Sequence, residues 1–174
     1  MPDLQELLRV DHAGEHGAVR IYDGQLAVFS ALKDKQALSD LIRHMAEQEQ
    51  EHLTHFDDLL VKHKVRPTAL SGVWDMAGFA LGAATALMGE KAAMACTAAV
   101  EEVIDEHYAE QLEEIGDDPD HQDLADTIRR FQADEAEHRK TALEHGAEEA
   151  TGYTLLRSLI GFGCRTAIAV SKKV

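Results

Sequence analysis

The chain has 174 residues, enough for one domain that buries roughly 70% of its unfolded surface without staples. Three prolines, two cysteines and abundant Ala, Leu, Glu and Gln exclude a disulfide scaffold and predict an all-α fold. A net charge of −15 excludes nucleic acid as a partner, because phosphate binding needs a basic footprint. The acid excess has two readings at this point, a solvated helical surface or carboxylates gathered to hold cations.

The N-terminus, Met1-Pro2-Asp3-Leu4, has no signal or transit pattern. It predicts a chain that acts in the cytoplasm or has lost a presequence. A helical hairpin is expected over 3–63, turning near Ser30–Gln36, where the turn signal is weak. Arg66-Pro67-Thr68 then breaks the helix. An apolar crossover follows over 68–90. Its centre, Val73–Met88, is about 16 residues long, short of the roughly 20 that span a bilayer. Its glycines Gly78, Gly82 and Gly89 fit tight helix packing. Its apolar surface fits equally a face that dips into a membrane or a mouth for an apolar substrate. A second hairpin over 91–148 turns at Gly116-Asp117-Asp118-Pro119-Asp120, a helix stop followed by a start. Gly152 breaks the chain again, and a last helix runs over 153–170. Lys172 and Lys173 behind it could touch anionic headgroups. Cys96 and Cys164 lie in Ala/Gly-rich surroundings and read as buried, inert thiols.

The two hairpins are copies. A shift of 86 residues lays Glu15 on Glu101, Tyr22 on Tyr108, Gln25 on Gln111, Ile42 on Ile128, Glu49 on Glu135 and His52 on His138, without a gap. Glu15 and Glu101 lie about 17 residues before their turns, and Glu49 and Glu135 about 17 after. At 1.5 Å per residue, all four carboxylates reach one layer roughly 25 Å from the turns. Two hairpins joined by a long crossover predict a ferritin-like four-helix bundle, one domain over 1–174, with the crossover and C-terminal helices added.

Ten histidines occur, and only His52 and His138 have Glu three residues before them. Residues at i and i+3 share a helix face, so Glu49/His52 and Glu135/His138 can each chelate one ion. With Glu15 and Glu101 they make the inward ligand set of di-iron and di-manganese carboxylate bundles. Four carboxylates balance two divalent ions, and oxygen-rich ligation with two imidazoles suits Fe or Mn rather than thiolate-bound Zn or copper. One isolated Glu-x-x-His reads as a surface pair. Two in register, each with a Glu 34 residues upstream, do not. The neighbours Glu47, Glu51, Glu102 and His55 compete for the inward frame, and the repeat selects against them.

Asp134 and Gln48, one before each Glu-x-x-His, are candidates to orient a ligand histidine; a solvent-facing Asp134 is the alternative. Tyr22 and Tyr108, seven residues after Glu15 and Glu101, share the face of those glutamates. They read as core packing near the site or as an electron or proton relay. His12, His16, His44, His63, His121 and His145 have no special spacing and read as surface or packing residues.

Arg9-Val-Asp-His-Ala-Gly-Glu15, Arg20-Ile-Tyr22, Arg66-Pro67-Thr68, Gly78-Phe-Ala-Leu-Gly-Ala83, Ala93-Met-Ala-Cys-Thr97 and Val100-Glu-Glu102 resemble the demethoxyubiquinone hydroxylase family of ubiquinone biosynthesis. The likeness runs from about residue 7 to the C-terminus. It implies a di-iron monooxygenase that uses O2 to hydroxylate the ring of a polyprenylated benzoquinol. By position, the family's ligands to two Fe ions fall on Glu15, Glu49, His52, Glu101, Glu135 and His138. The resemblance gives His107 and Tyr108 a role in reduction linked to NADH. It further implies a peripheral membrane protein, on the cytoplasmic face of a bacterial inner membrane or the matrix side of the mitochondrial one. A lipid-binding accessory protein is an implied partner, and a homo-oligomer is compatible. Two rivals stand beside this reading: an iron-handling protein of ferritin or rubrerythrin type, and a non-catalytic scaffold of a membrane complex.

Overall fold

The computed structural model describes residues 3–174; Met1 and Pro2 of the N-terminal motif lie outside them. Six α-helices occur among the described residues, and no strand. They are α1 (Leu4–Phe29), α2 (Gln36–His63), α3 (Ser71–Leu87), α4 (Glu90–Ile115), α5 (Gln122–Glu144) and α6 (Tyr153–Ser171). The all-α bundle expected from composition and repeat is the fold the chain adopts.

Local chemistry sets the ends. Asp3 caps α1 by accepting from the Gln5 N–H at 3.0 Å, which satisfies one orphan donor of the first turn. The weakly signalled first turn contains a 3-10 turn, Lys33–Lys35, and no glycine. The second turn ends α4 at Gly116, whose φ of 55° is cheap only without a Cβ.

α1, α2, α4 and α5 form the bundle, with α1 antiparallel to α4 and α2 antiparallel to α5. α3 packs on α1 and α6 on α4, outside the bundle. The core divides into two clusters along the bundle axis. One holds Leu7, Leu8, Phe56, Leu60, Ile128 and Phe131; the other holds Phe29, Ile42, Met45, Met94 and Ala142. On α2 Glu49 falls between Met45 and Phe56, and on α5 Glu135 falls between Phe131 and Ala142. The carboxylate layer is thus closed above and below by apolar side chains.

The crossover helix uses both of its faces. Gly82 and Gly78 turn toward α1, where a Cβ on Gly82 would overlap the carbonyl oxygen of Ile21. Gly24 of α1 returns the contact, lying against the Phe79 carbonyl oxygen. The opposite face leaves Met76 and Leu87 about three-quarters exposed, at 74% and 76%. α6 likewise exposes Leu155, Leu159 and Phe162. It is held to α4 by Arg157, which donates two hydrogen bonds of 2.6 Å to the Glu102 carboxylate, and by Arg165 on Glu106.

Between α1, α3, α4 and α6 lies an apolar cavity of about 440 Å³. Gly14, Ala18, Val100 and Ile104 form its floor, and Leu81, Leu159 and Cys164 its walls. Trp74 of α3 donates to Ser171 of α6 at 3.0 Å beside it. Both cysteines carry protonated thiols: burial pushes Cys96 up to about 12 and Cys164 up to about 11.

Candidate metal centre

Each of the four bundle helices contributes to one buried layer. Glu15 comes from α1, Glu49 and His52 from α2, Glu101 from α4, and Glu135 and His138 from α5. The four carboxyl groups are fully shielded from solvent. All six residues come together in two groups, Glu15–Glu49–His52–Glu135 and Glu49–Glu101–Glu135–His138. Glu49 and Glu135 belong to both. The sequence spacing predicts one ion per Glu-x-x-His pair, but His52 Nδ1 lies nearer Glu135 (3.1 Å) and Glu15 (3.6 Å) than its own Glu49 (4.0 Å). His138 Nδ1 lies 2.9 Å from Glu49 and 3.5 Å from Glu135. The helices interleave, so the two middle glutamates face both positions.

The competitors turn away. Glu47 and Glu51 are exposed. Glu102 binds Arg157 and Arg139, and Arg157 chiefly holds its carboxyl below the usual range. His55 sits against Thr127.

Hydrogen bonding fixes the outer side of His52, His138, Glu15 and Glu101 and leaves their inner side bare. His52 Nε2 contacts Asp134 Oδ2 and His138 Nε2 contacts Gln48 Oε1, both at 3.1 Å. With the N–H at Nε2, each ring aims its Nδ1 lone pair into the layer. Tyr22 and Tyr108 do not serve the glutamate of their own helix. Tyr22 donates to Glu101 at 2.6 Å, and Tyr108 donates to Glu15. The face was legible from spacing; the partner, one helix across, was not.

Eight buried atoms of the layer have no hydrogen-bond partner: Glu15 Oε2, both oxygens of Glu49 and of Glu135, Glu101 Oε2, and Nδ1 of His52 and His138. Buried polar groups are normally satisfied, and such a set is what divalent cations require. Without cations the layer must hold protons. Burial, then the neighbouring carboxylates, push Glu49 and Glu101 well above the ordinary glutamate range, and burial raises Glu135 too. Burial opposes charge on both imidazoles and lowers His138. In His52 the contacts with Glu135 and Glu15 outweigh it and lift the ring to about 10. The residues fit two oxygen-preferring metal ions.

A polar network unread in the sequence lies behind Glu15. Asp11, buried, takes hydrogen bonds from His107 Nε2 at 3.1 Å and Gln111 Nε2 at 2.9 Å. His107 stacks at a tilt beside Tyr108, ring centres 6.0 Å apart. Asp11 precedes Glu15 by four residues, one turn on the same face, which was the available signal. Its repeat equivalent is Thr97, so the duplication did not mark it.

A bundle whose four inner helices bring four carboxylates and two imidazoles into one buried layer is a ferritin-like helical bundle with a cluster that could hold metal ions. The comparisons narrow this class. The model of the family described as ubiquinone biosynthesis protein COQ7 matches residues 2–171, and the chain belongs to that family. A Rhodospirillum rubrum protein named 3-demethoxyubiquinol 3-hydroxylase is 50% identical over 171 residues, covering 98% of this chain and 78% of that protein. The Homo sapiens protein named NADPH-dependent 3-demethoxyubiquinone 3-hydroxylase, mitochondrial, is 44% identical, with 98% and 78% covered. The Saccharomyces cerevisiae protein named 5-demethoxyubiquinone hydroxylase, mitochondrial, is 38% identical, again with 98% and 78% covered. Of the two nicotinamide nucleotides, it is NADPH, not the expected NADH, that appears in the human protein's name. No described helix is long and apolar enough to cross a membrane.

Proposed function

We propose that this chain is a di-iron monooxygenase of ubiquinone biosynthesis that hydroxylates the ring of a polyprenylated demethoxybenzoquinol. The observation that carries it is the 50% identity, across 98% of the chain, to a 3-demethoxyubiquinol 3-hydroxylase. Glu15, Glu49, His52, Glu101, Glu135 and His138 would hold two iron ions. Iron bound there supplies the activation of dioxygen, with electrons from a reduced nicotinamide nucleotide.

The protein does the rest. Tyr22 and Tyr108 pin one oxygen each of Glu101 and Glu15, which leaves the other oxygen for a cation. The two apolar clusters keep bulk water from the layer. The cavity's volume falls in the range of small-molecule sites. Its floor residues Gly14 and Val100 immediately precede Glu15 and Glu101, so a ring held there faces the site while an isoprenoid tail runs between α3 and α6. His107, 8% exposed, stands between the surface and Tyr108, and the pair is our candidate route for reducing equivalents and protons.

The exposed apolar faces of α3 and α6 support a peripheral seat on the membrane that carries the quinol: the cytoplasmic face of a bacterial inner membrane, or the matrix side of a mitochondrial one. A lipid-binding accessory protein and a further copy of the chain are compatible partners. An iron-handling protein would share the ligands. It accounts neither for the cavity nor for the exposed Met76, Phe79, Leu155 and Phe162.

Complementation of a quinone-deficient strain tests the reading, with lipid extracts read by mass spectrometry. The demethoxy intermediate should disappear with wild type and persist with His138→Ala. Persistence with wild type as well would remove the substrate assignment.

A further inference from the structure

The two histidines of the centre are held by unlike partners. His52 donates to Asp134, an anion; His138 donates to Gln48, a neutral amide. Asp134 and Gln48 are equivalent positions of the 86-residue repeat. Each serves the histidine of the other copy, so the pattern is two-fold with a single chemical substitution. The six residues facing the layer, and the tyrosines behind Glu15 and Glu101, are the same on both sides. A second difference falls on the same side. Asp11 stands behind Glu15 and accepts from His107 and Gln111, while its equivalent Thr97 lies 3.2 Å from Gln25.

We infer that Asp134 makes the two metal positions unequal, so that the position formed with Glu15 and His52 binds its ion more tightly and fills first. The inference rests on the two-metal reading of the site. An imidazole that donates to a carboxylate gains electron density at its other nitrogen and becomes a stronger ligand; an amide oxygen draws the proton far less. Asp134 is 37% exposed, so its carboxylate is hydrated on one side and bonded to His52 on the other. Removal of such a partner typically weakens metal binding about 10–100-fold.

Anaerobic titration of the full chain with ferrous iron, followed by calorimetry and Mössbauer spectroscopy, tests it. Two identical positions would also fill in two steps, because the first ion repels the second. The deciding result is therefore which substitution moves which step. Asp134→Asn should weaken the first step about 10–100-fold and leave the second in place. Gln48→Glu should tighten the second step and give two ferrous environments in comparable amounts at one equivalent, where wild type gives one. His52→Ala should remove the tighter step and His138→Ala the weaker. An unchanged first step in Asp134→Asn, or an unchanged second step in a folded Gln48→Glu, overturns the inference. Fewer than two ions bound to wild type overturns the two-metal reading instead.

Discussion

Metal-free, the centre is a store of protons, and that has a thermodynamic sign. Glu49, Glu101 and Glu135 titrate above the ordinary glutamate value of 4.5, so the folded chain holds protons that the unfolded chain has already lost. Stability from these groups falls as pH rises above that value. His52, raised from 6.5 to about 10, acts in the same direction: its contribution is full below 6.5 and lost as pH rises through about 10. Above the histidine range, from about pH 7 to pH 10, the metal-free protein should therefore melt at progressively lower temperature. The loaded protein should lack this slope, and loading at pH 7 should release protons, measurable in a pH-stat. A flat melting profile for the metal-free chain would contradict the burial argument. At this scale the sequence disclosed the six layer residues, because duplication repeated them in one frame. It did not disclose Asp11, whose equivalent is Thr97, nor that Tyr22 and Tyr108 reach across to the other copy's glutamate. A helical repeat gives the face of a residue, and contacts between helices depend on packing that no spacing records.

At the scale of elements, the seam between α1 and α3 is the most exacting contact. Gly82 and Gly24 bring backbone against backbone, with no room for a Cβ on either. Gly82→Val should destabilise the chain by about 1–3 kcal/mol or more, by overpacking. Gly72→Ala, in the first turn of α3 with nothing within 4 Å, should leave the melting temperature unchanged. Equal melting temperatures for the two variants would show that α3 is not seated by this seam. The crossover's composition left tight packing and an apolar surface as rival readings. The tight packing is seen at Gly78 and Gly82, and the opposite face of the same helix exposes Met76 and Leu87, the face assigned to the membrane in the proposed function. The first turn was weakly signalled for a physical reason: it closes through a 3-10 turn without the glycine that ends α4.

For the whole molecule, charge and apolar surface pull apart. A net charge of −15 repels an anionic bilayer, while Met76, Phe79, Leu87, Leu155, Leu159 and Phe162 offer apolar area on α3 and α6. Partitioning should thus be driven by apolar burial, strong on neutral vesicles and weaker on anionic ones at low salt. Phe79→Ser with Phe162→Ser should reduce binding to neutral vesicles in a flotation assay. Indifference of wild type to vesicles would favour the iron-handling alternative. The glycine seam gives this seat a mechanical meaning. α1 carries Glu15 on one side and, on the other, meets α3 backbone to backbone at Gly24 and Gly82. At Gly82 and Gly24 the two backbones meet, and Arg20 of α1 ties the helices beside them through Asp75 and the Phe79 ring. α1 and α3 therefore form one stiff unit, with the exposed apolar face of α3 on one edge and the buried Glu15 on the other. A seat of that face on lipid, as proposed above, would couple any shift of α3 to Glu15.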